Sequence, residues 1–323
     1  MLLISFCNER FVPEFVLGLL DPETSAFRWV DLQFSSDVKG AAGLASRNGY
    51  VYVGIQSQSP GPRLHIYDEV TLELAAAYDF RHIQDVHSMV FRDDHTLVAV
   101  STGTDELYEM KLKSPTEIEE EQLLWRLPGT FAELGDQCHM NSVAFTSHGL
   151  TMTWCRSAGI SASLPPSGGG VMAVESGQVI ADGLISPHSL LEVEDALYVC
   201  ADPGRVVKVG SGEAEIGGFA RGLCELDGYL IAGSSGERTR SRSTDRMTKV
   251  TDFDEFALLG AWVSKIDPAD MSVVETFSLK ALGNEIYDLL PVASDFNATY
   301  AIDRDPYAER AMRLEYHLHA LEA

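Results

Sequence analysis

One pattern recurs six times in a shared register along this chain of 323 residues. In each copy an opening residue begins a short apolar segment, a turn residue follows seven positions later, and a second apolar segment comes next. The opening residues, each with its turn residue, are Ala42 and Gly49, His87 and Asp94, Asn141 and His148, His188 and Asp195, Arg221 and Gly228, and Tyr287 and Ser294. Strand-only units of roughly 40 to 50 residues are typical of β-propellers. The sequence therefore predicts an all-β fold, a six-bladed β-propeller.

The predicted blades form a single domain, 1–323. The N-terminal part of the chain predicts three strands of a blade that lacks its first strand, at residues 2–7, 15–21 and 26–32. The C-terminal part predicts a first strand that lacks the rest of its blade, at residues 285–292. We expect the two ends of the chain to share one blade, because this closes the ring and hides a strand edge that would invite aggregation. The blades are expected at about 1–34 with 284–303, 41–80, 86–128, 139–183, 187–217 and 220–280.

Two segments fall outside the strand pattern. The loop 234–256 holds a large share of the positive charge of the chain, in Arg238, Arg240, Arg242, Arg246 and Lys249. We expect a lid over the channel mouth that attracts an anion, with a subunit contact in a homo-oligomer and a merely solvated loop as alternatives. The segment 306–322 has helical spacing of apolar residues, which predicts a short C-terminal helix on the outside of the propeller.

Composition limits the partners of the protein. The 48 acidic and 24 basic residues give a formal charge of -24, which argues against binding to nucleic acid or to an anionic membrane surface. No apolar run approaches the roughly 18 residues that a membrane span needs, and the N-terminus does not resemble a signal peptide. The 5 cysteines lack CxxC spacing. We therefore expect free thiols and a cytoplasmic protein.

The first strand of each propeller blade lines the central channel, so the opening residues are expected to face the axis. Neutral imidazole is a good ligand for zinc, copper, iron or nickel, which makes His87, His139, His188 and the neighbouring Asn141 candidate ligands of a divalent metal. Zinc, iron or manganese is the expected ion. Calcium, held by oxygen ligands, is a less favoured variant. The alternatives are a metal-free acid–base site and structural histidines that hydrogen-bond across the channel. The sequence lacks dinucleotide-binding and haem-attachment motifs, so neither cofactor is expected.

The candidate catalytic residues at the axis are Arg221, Glu285, Tyr287 and Asp288. Arg221 could hold a substrate carboxylate, phosphate or sulfate in its planar fork, or could form a salt bridge with Glu285 or Asp288. Glu285 could act as a general base, and Asp288 could do so or could orient an imidazole. Tyr287 could donate a proton or could form a wall of the pocket.

Several motifs carry a resemblance to a known family: DVHSMVF, DQCHMNSVAF, ISPHSLLEVEDALYVCADPGRVVKV, GFARGLCELDGYLIAG and GNEIYDLLPV. In order and spacing they resemble the bacterial family described as domain of unknown function 4915. This resemblance implies a propeller-like fold and brings no assigned activity. From the axial residues we expect an enzyme acting on a small anionic metabolite by lyase, isomerase, cyclase or hydrolase chemistry. The alternative is a propeller that binds a small molecule or a protein without catalysis, because fold does not imply function.

Overall fold

The computed structural model describes residues 1–7, 16–30, 38–57, 61–156, 164–165, 168–236, 260–279 and 285–293. Within these ranges the chain forms six sheets of four strands each. Two short 3-10 helices, Thr102–Thr104 and Ala132–Leu134, lie in connections between strands. The predicted all-β, six-bladed propeller is therefore confirmed.

The strands in chain order are β1 (Leu2–Phe6), β2 (Leu17–Leu20), β3 (Phe27–Trp29), β4 (Val38–Arg47), β5 (Tyr50–Ser57), β6 (Arg63–Asp68), β7 (Leu74–Asp79), β8 (Val86–Asp93), β9 (Thr96–Ser101), β10 (Glu106–Ser114), β11 (Glu117–Arg126), β12 (Met140–Thr146), β13 (Gly149–Trp154), β14 (Gly169–Ala173), β15 (Val179–Leu184), β16 (His188–Val193), β17 (Ala196–Ala201), β18 (Arg205–Lys208), β19 (Gly212–Glu215), β20 (Phe219–Leu226), β21 (Tyr229–Ser235), β22 (Ala261–Ile266), β23 (Val273–Ser278) and β24 (Ile286–Pro291). Blade one consists of β24 and β1 to β3, and each of the other five blades consists of four consecutive strands, from β4 to β7 in blade two to β20 to β23 in blade six.

The axis is surrounded by the first strand of every blade: β24, β4, β8, β12, β16 and β20. Each of these strands contacts the first strand of the next blade, and the contact between β20 and β24 completes the ring. In blade one, β24 pairs antiparallel with β1, so that Leu290 lies opposite Leu3. The two ends of the described chain therefore share one blade, as the sequence predicts.

The core lies between blades. Each of six large clusters of buried apolar residues draws its members from two neighbouring blades. Side chains alternate between the two faces of a strand, so in β1 Leu2 and Ile4 pack toward blade six, whereas Leu3 packs toward blade two. Neighbouring blades therefore stabilise each other by sharing one cluster at each interface.

Every axial strand carries an irregularity in register near its opening residue. The shifts fall between Ala41 and Leu44, Val86 and Met89, Met140 and Val143, His188 and Leu190, and Arg221 and Leu223, and between Ser5 and Phe6 where β1 pairs with β24. A bulge of this kind redirects a side chain and increases the local twist. The repeat in the sequence thus corresponds to a bulge that is repeated in each blade.

Several other predictions concern segments that the structure describes only in part. The C-terminal helix at 306–322 and most of the loop 234–256 lie outside the described residues. The predicted start of that loop is wrong, because Ser234 and Ser235 belong to β21 and pair with Trp262 and Ala261. All five cysteines are free, as predicted. None of the described residues belongs to a helix long and apolar enough to cross a membrane.

Candidate functional site

A cavity of about 530 Å³, here called the axial cavity, follows all six first strands along the propeller axis. Its walls are mostly apolar and include Val90, Val143, Leu190 and Leu223. Its inner end is formed by four of the predicted opening residues, His87, Asn141, His188 and Tyr287. The other two, Ala42 and Arg221, are buried but do not line the cavity. The repeat register thus places polar opening residues at one end of an apolar channel.

His87 is the centre of an aromatic cluster contributed by three blades. The ring of His139 stands edge-on to the ring of His87, with centroids 5.3 Å apart. The ring of Tyr287 stands edge-on to another side of His87, at 5.1 Å. Two of the three predicted histidines are therefore in direct contact. His188 instead contacts Phe219, with ring centroids 5.2 Å apart.

Arg221 lies between two aromatic rings at the axis. Its guanidinium carbon is 4.4 Å from the centroid of Phe219 and 5.1 Å from the centroid of Tyr287. Its Nη1 is 2.5 Å from Oε1 of Glu285, and each of these two side chains is only 5% exposed. The salt bridge to Glu285 that was one alternative for Arg221 is thus present. The carboxylate of Glu285 balances the buried guanidinium charge and holds it in place.

Two carboxylates that the sequence analysis missed orient two of the imidazoles. Oδ2 of Asp136 lies 2.7 Å from Nδ1 of His139, and Oδ1 of Asp85 lies 3.3 Å from Nε2 of His87. The side-chain amide of Gln56 donates a second hydrogen bond, 2.8 Å long, to Oδ1 of Asp85. The signal was present in the sequence, because an aspartate stands two residues before His87 and another stands three residues before His139.

Asp288 does not orient an imidazole. Its two carboxylate oxygens accept the backbone N–H groups of Leu44 and Leu289, both at 2.9 Å, so the side chain joins β24 to blade two. Ser88 and Ser189 occupy equivalent repeat positions and likewise accept a backbone N–H from the next blade. Burial raises the pKa of Asp288 to about 7, against the opposing effect of its two backbone donors.

Hydrogen bonding fixes the proton position on Nδ1 of His188 and His139. Nδ1 of His188 faces the carbonyl oxygen of Ser186, which can only accept, so this nitrogen is the donor. Asp136 is ionised because hydrogen bonds and charges from His139 and Arg156 outweigh its burial and lower its pKa to about 2. Nδ1 of His139 is therefore also the donor. In the neutral ring of His188 the lone pair therefore lies on Nε2, and in His139 Nε2 is the nitrogen that Asp136 does not hold.

Burial keeps two of these imidazoles neutral. It lowers the pKa of His87, although Asp85 opposes the shift, and burial together with the charge of Arg221 lowers the pKa of His188 far below its usual value. Nδ1 of His87 and Nε2 of His188 are buried and have no hydrogen-bond partner among the described residues. Nε of Arg221 is in the same situation. Because buried polar atoms nearly always have partners, these three atoms define an unmet hydrogen-bonding requirement at the axis.

A third carboxylate, Asp105, holds the turn that carries His139. Its oxygens accept the backbone N–H groups of Gln137 at 2.7 Å, Cys138 at 2.9 Å and Met140 at 3.2 Å. His139 has a left-handed backbone conformation, with φ of 56°. Such a conformation costs about 1–2 kcal/mol outside glycine, so the surroundings have to enforce it. Asp105 supplies that constraint from a fully buried position.

The metal prediction has incomplete support in the structure. The part of the chain that the structure describes contains no group of three or more His, Cys, Asp or Glu side chains that could hold a metal ion. His87 and His139 are adjacent and have the carboxylate partners that metal-binding histidines usually have. The amide nitrogen of Asn141 lies 4.0 Å from Sγ of Cys155. The three-histidine metal site therefore stays a prediction.

Solved structures with a similar fold are distant in sequence. A protein of unknown function from Bacteroides caccae has a TM-score of 0.56 and 11% identity, covering 90% of this chain and 98% of its own. A Bacteroides fragilis protein, provisionally described as a 6-phosphogluconolactonase, has a TM-score of 0.52 and 9% identity, covering 90% of this chain and 96% of its own. Likeness at these identities shows the fold alone.

The sequence itself places the chain in a family. No curated protein matches it. The family model described as "Domain of unknown function (DUF4915)" matches residues 64–299, which is well over half of the chain. The motifs around His87, His139, His188 and Arg221 all lie within the matched region. The chain therefore belongs to the DUF4915 family.

Proposed function

We propose that this protein is an enzyme that transfers protons to or from a small anionic metabolite at the axial cluster of His87, His139, His188 and Arg221. One observation carries the proposal. His87, His139 and His188 each have one ring nitrogen held by an oxygen, which leaves the other nitrogen for proton transfer. A neutral imidazole in a fixed tautomer is the side chain best suited to act as a general base near pH 7.

His139 is the residue we assign as the principal base. Its Nδ1 donates to Asp136, which remains ionised at neutral pH and would stabilise the imidazolium that forms when Nε2 takes a proton. At 15% exposure it is also the least buried of the three imidazoles. His87, in edge contact with it, is placed to serve as the second proton-transfer group.

Arg221 is the group we assign to the substrate anion. A guanidinium has five N–H donors. In this site one of them is engaged by Glu285, while the buried Nε–H has no acceptor within the described part of the chain. Glu285 therefore holds Arg221 in place instead of acting as the base. Tyr287 lies between Arg221 and His87 and forms the wall that separates the anion-binding group from the base.

Deuterium exchange tests the proposal without requiring the complete reaction. The protein is incubated in D2O with a panel of small carboxylic and phosphorylated acids, and loss of carbon-bound protons is followed by NMR. We expect at least one acid to exchange, and His139→Gln to slow this exchange by about 100-fold or more, the usual contribution of a general base. His148→Gln is the control, because His148 lies in an exposed turn and should exchange at the wild-type rate.

Two outcomes would contradict the enzyme proposal. One is a folded His139→Gln variant that exchanges every active acid at the wild-type rate. The other is an acid that binds at the axis but is neither exchanged nor converted, which would favour the non-catalytic binding propeller.

The metal prediction is tested by elemental analysis of protein purified without a chelator or a His-tag. A bound divalent ion should be present at near-stoichiometric amounts in the wild type and should be lost in a His87→Ala, His188→Ala double variant. Absence of metal from both samples would assign proton transfer to the imidazoles and their carboxylates alone.

A further inference from the structure

We infer that Thr102 is a positioning residue that sets the contact between the rings of His87 and His139. The inference concerns how the axial cluster is built, and it rests on the proposed function only for its catalytic readout. It comes from the short segment 101–105 of blade three, which lies where β9 leads into β10 and includes the first 3-10 helix. This segment is hydrogen-bonded to both pieces of chain that carry the two imidazoles.

The two imidazoles stand on separate pieces of chain. His87 lies near the start of β8 and is oriented by Asp85, whereas His139 comes just before β12. Asp85 and His139 both have a left-handed backbone conformation, with φ of 55° and 56°. This conformation is unfavourable for residues other than glycine, so neighbouring groups have to hold it. The contact of the two rings, with centroids 5.3 Å apart, therefore depends on what holds these two points.

On one side, the segment 101–105 holds the chain that leads to His87. The backbone N–H of Thr102 donates to the carbonyl oxygen of Asp85, at 3.2 Å, and the N–H of Gly103 donates to the carbonyl oxygen of Gln84, at 2.9 Å. The hydroxyl of Ser101 accepts the N–H of Gln84, also at 2.9 Å. The end of the connection between blades two and three is thus fixed relative to this segment.

On the other side, the same segment holds the turn of His139. The hydroxyl of Thr102 donates to the carbonyl oxygen of Met140, the residue after His139, at 2.6 Å. The N–H of Met140 donates to Asp105, at 3.2 Å. Thr102 is therefore hydrogen-bonded to both pieces of chain, through its N–H to one and through its hydroxyl to the other.

The hydroxyl of Thr102 has an effect that solvent cannot replace. Thr102 is fully buried, and its bond to Met140 lies in the interior. Because a buried acceptor that loses its donor is costly, the turn of His139 would shift toward another partner if this hydroxyl were removed. A shift of about 1 Å at a catalytic group can slow a reaction by about 100-fold, even when the altered residue touches no substrate.

NMR of the full chain with ring-labelled histidine tests this assignment. Ring protons of His87 and His139 should give a nuclear Overhauser cross-peak, assigned by its absence from His87→Gln and from His139→Gln. Thr102→Val replaces the hydroxyl by a methyl group of similar size. We expect it to lose this cross-peak and to slow the proton exchange of an active acid by about 10- to 100-fold. Thr102→Ser keeps the hydroxyl and should retain both the cross-peak and the exchange rate.

Thr130→Val is the matched control. Thr130 is also buried, and its hydroxyl donates to the carbonyl oxygen of Leu127 at 2.7 Å, within a single connection. Its loss should lower stability toward urea but leave the cross-peak unchanged. Gly103→Ala tests the same link if Thr102→Val does not fold. A Cβ atom at Gly103 would lie 2.9 Å from Cβ of Gln84 and 3.0 Å from its carbonyl oxygen, so this variant should weaken the cross-peak.

Four results would overturn the inference: a folded Thr102→Val that keeps the wild-type cross-peak, an equal loss of the cross-peak in Thr130→Val, an unchanged cross-peak in Gly103→Ala, or a Thr102→Ser variant that behaves like Thr102→Val. This failure is distinguishable from failure of the proposed function. If no acid exchanges in the wild type, the enzyme is rejected and the cross-peak still decides the role of Thr102. Exchange in the wild type that is equally fast in Thr102→Val, with the cross-peak kept, would retain the enzyme and reject the positioning role.

Discussion

At the scale of single residues, carboxylates organise the site. Asp136 and Asp85 orient imidazoles, Asp105 holds the turn around His139, and Asp288 joins the closing strand to blade two. A buried carboxylate is costly unless its oxygens are hydrogen-bonded, and each of these four accepts at least one N–H group or lies beside an imidazole. The acidic character of the chain thus has a structural use at its centre.

Asp288 gives a prediction for stability against pH. Its pKa in the folded protein is about 7, above the ordinary value of 3.8, so between these values the folded chain keeps a proton that the unfolded chain releases. This contribution to the free energy of unfolding is therefore largest at acidic pH and is lost as pH rises toward 7. Asp288→Asn has no proton to lose. Its stability relative to wild type should improve by on the order of 1–3 kcal/mol between about pH 4.5 and pH 8, measured by urea denaturation.

Ser189→Ala is the matched control for Asp288→Asn. Ser189 accepts a backbone N–H at the equivalent position of another blade, and its hydroxyl does not titrate in this range. Ser189→Ala should therefore lower the free energy of unfolding by the same amount at both pH values. A difference between Asp288→Asn and wild type that does not vary with pH would show that Asp288 is ionised in the folded protein.

At the scale of the strands, the approach of neighbouring first strands sets the width of the axial cavity. β4 and β8 approach each other closely at Gly43, which follows the opening residue of blade two. A Cβ atom at Gly43 would lie 2.7 Å from Cα of Ser88 and 2.8 Å from the carbonyl oxygen of His87. Both contacts are with backbone, so a side chain at this position has to push the two strands apart.

Gly43→Ala should therefore destabilise the protein by about 1–3 kcal/mol, the usual cost of overpacking, and should slow the proton exchange of the active acid because β8 carries His87. Guanidinium denaturation and the exchange assay in D2O measure the two effects. Gly212→Ala is the control, because this strand glycine has only Cγ of Met271 nearby, at 4.0 Å. Equal stability of the two variants would mean that the first strands can separate without cost.

At the scale of the whole molecule, the six shared clusters predict cooperative unfolding. The tryptophans lie in four blades: Trp29 in blade one, Trp125 in blade three, Trp154 in blade four and Trp262 in blade six. Because each blade shares buried clusters with both neighbours, loss of one blade exposes apolar surface on two others. In a sample labelled with 5-fluorotryptophan, all four native ¹⁹F signals should disappear at one urea concentration. Separate midpoints for Trp29 and Trp154 would contradict this prediction.

The sequence predicts much of the fold because each copy of the repeated pattern begins at the bulge near the start of a first strand. His87 and His139 were expected to converge, and they do. Strand register accounts for His87, which lies in β8, but His139 precedes β12 and owes its position to the turn that Asp105 holds. The roles of Asp85 and Asp105 could not be predicted in this way. They depend on the connections between blades, which do not repeat, and Asp105 acts on backbone N–H groups more than 30 residues away. The ligand set of a metal likewise depends on distances that register alone does not give.

The shared blade also determines the order of events during protein synthesis. β1, β2 and β3 leave the ribosome before the other five blades, but their inner partner β24 begins at Ile286, after those blades have been made. Until then β1, all five residues of which are buried in the finished ring, presents an unpaired apolar edge. An interrupted nascent chain that ends before β24 would carry this edge and the open faces of blades two and six, and would be a natural client for chaperones.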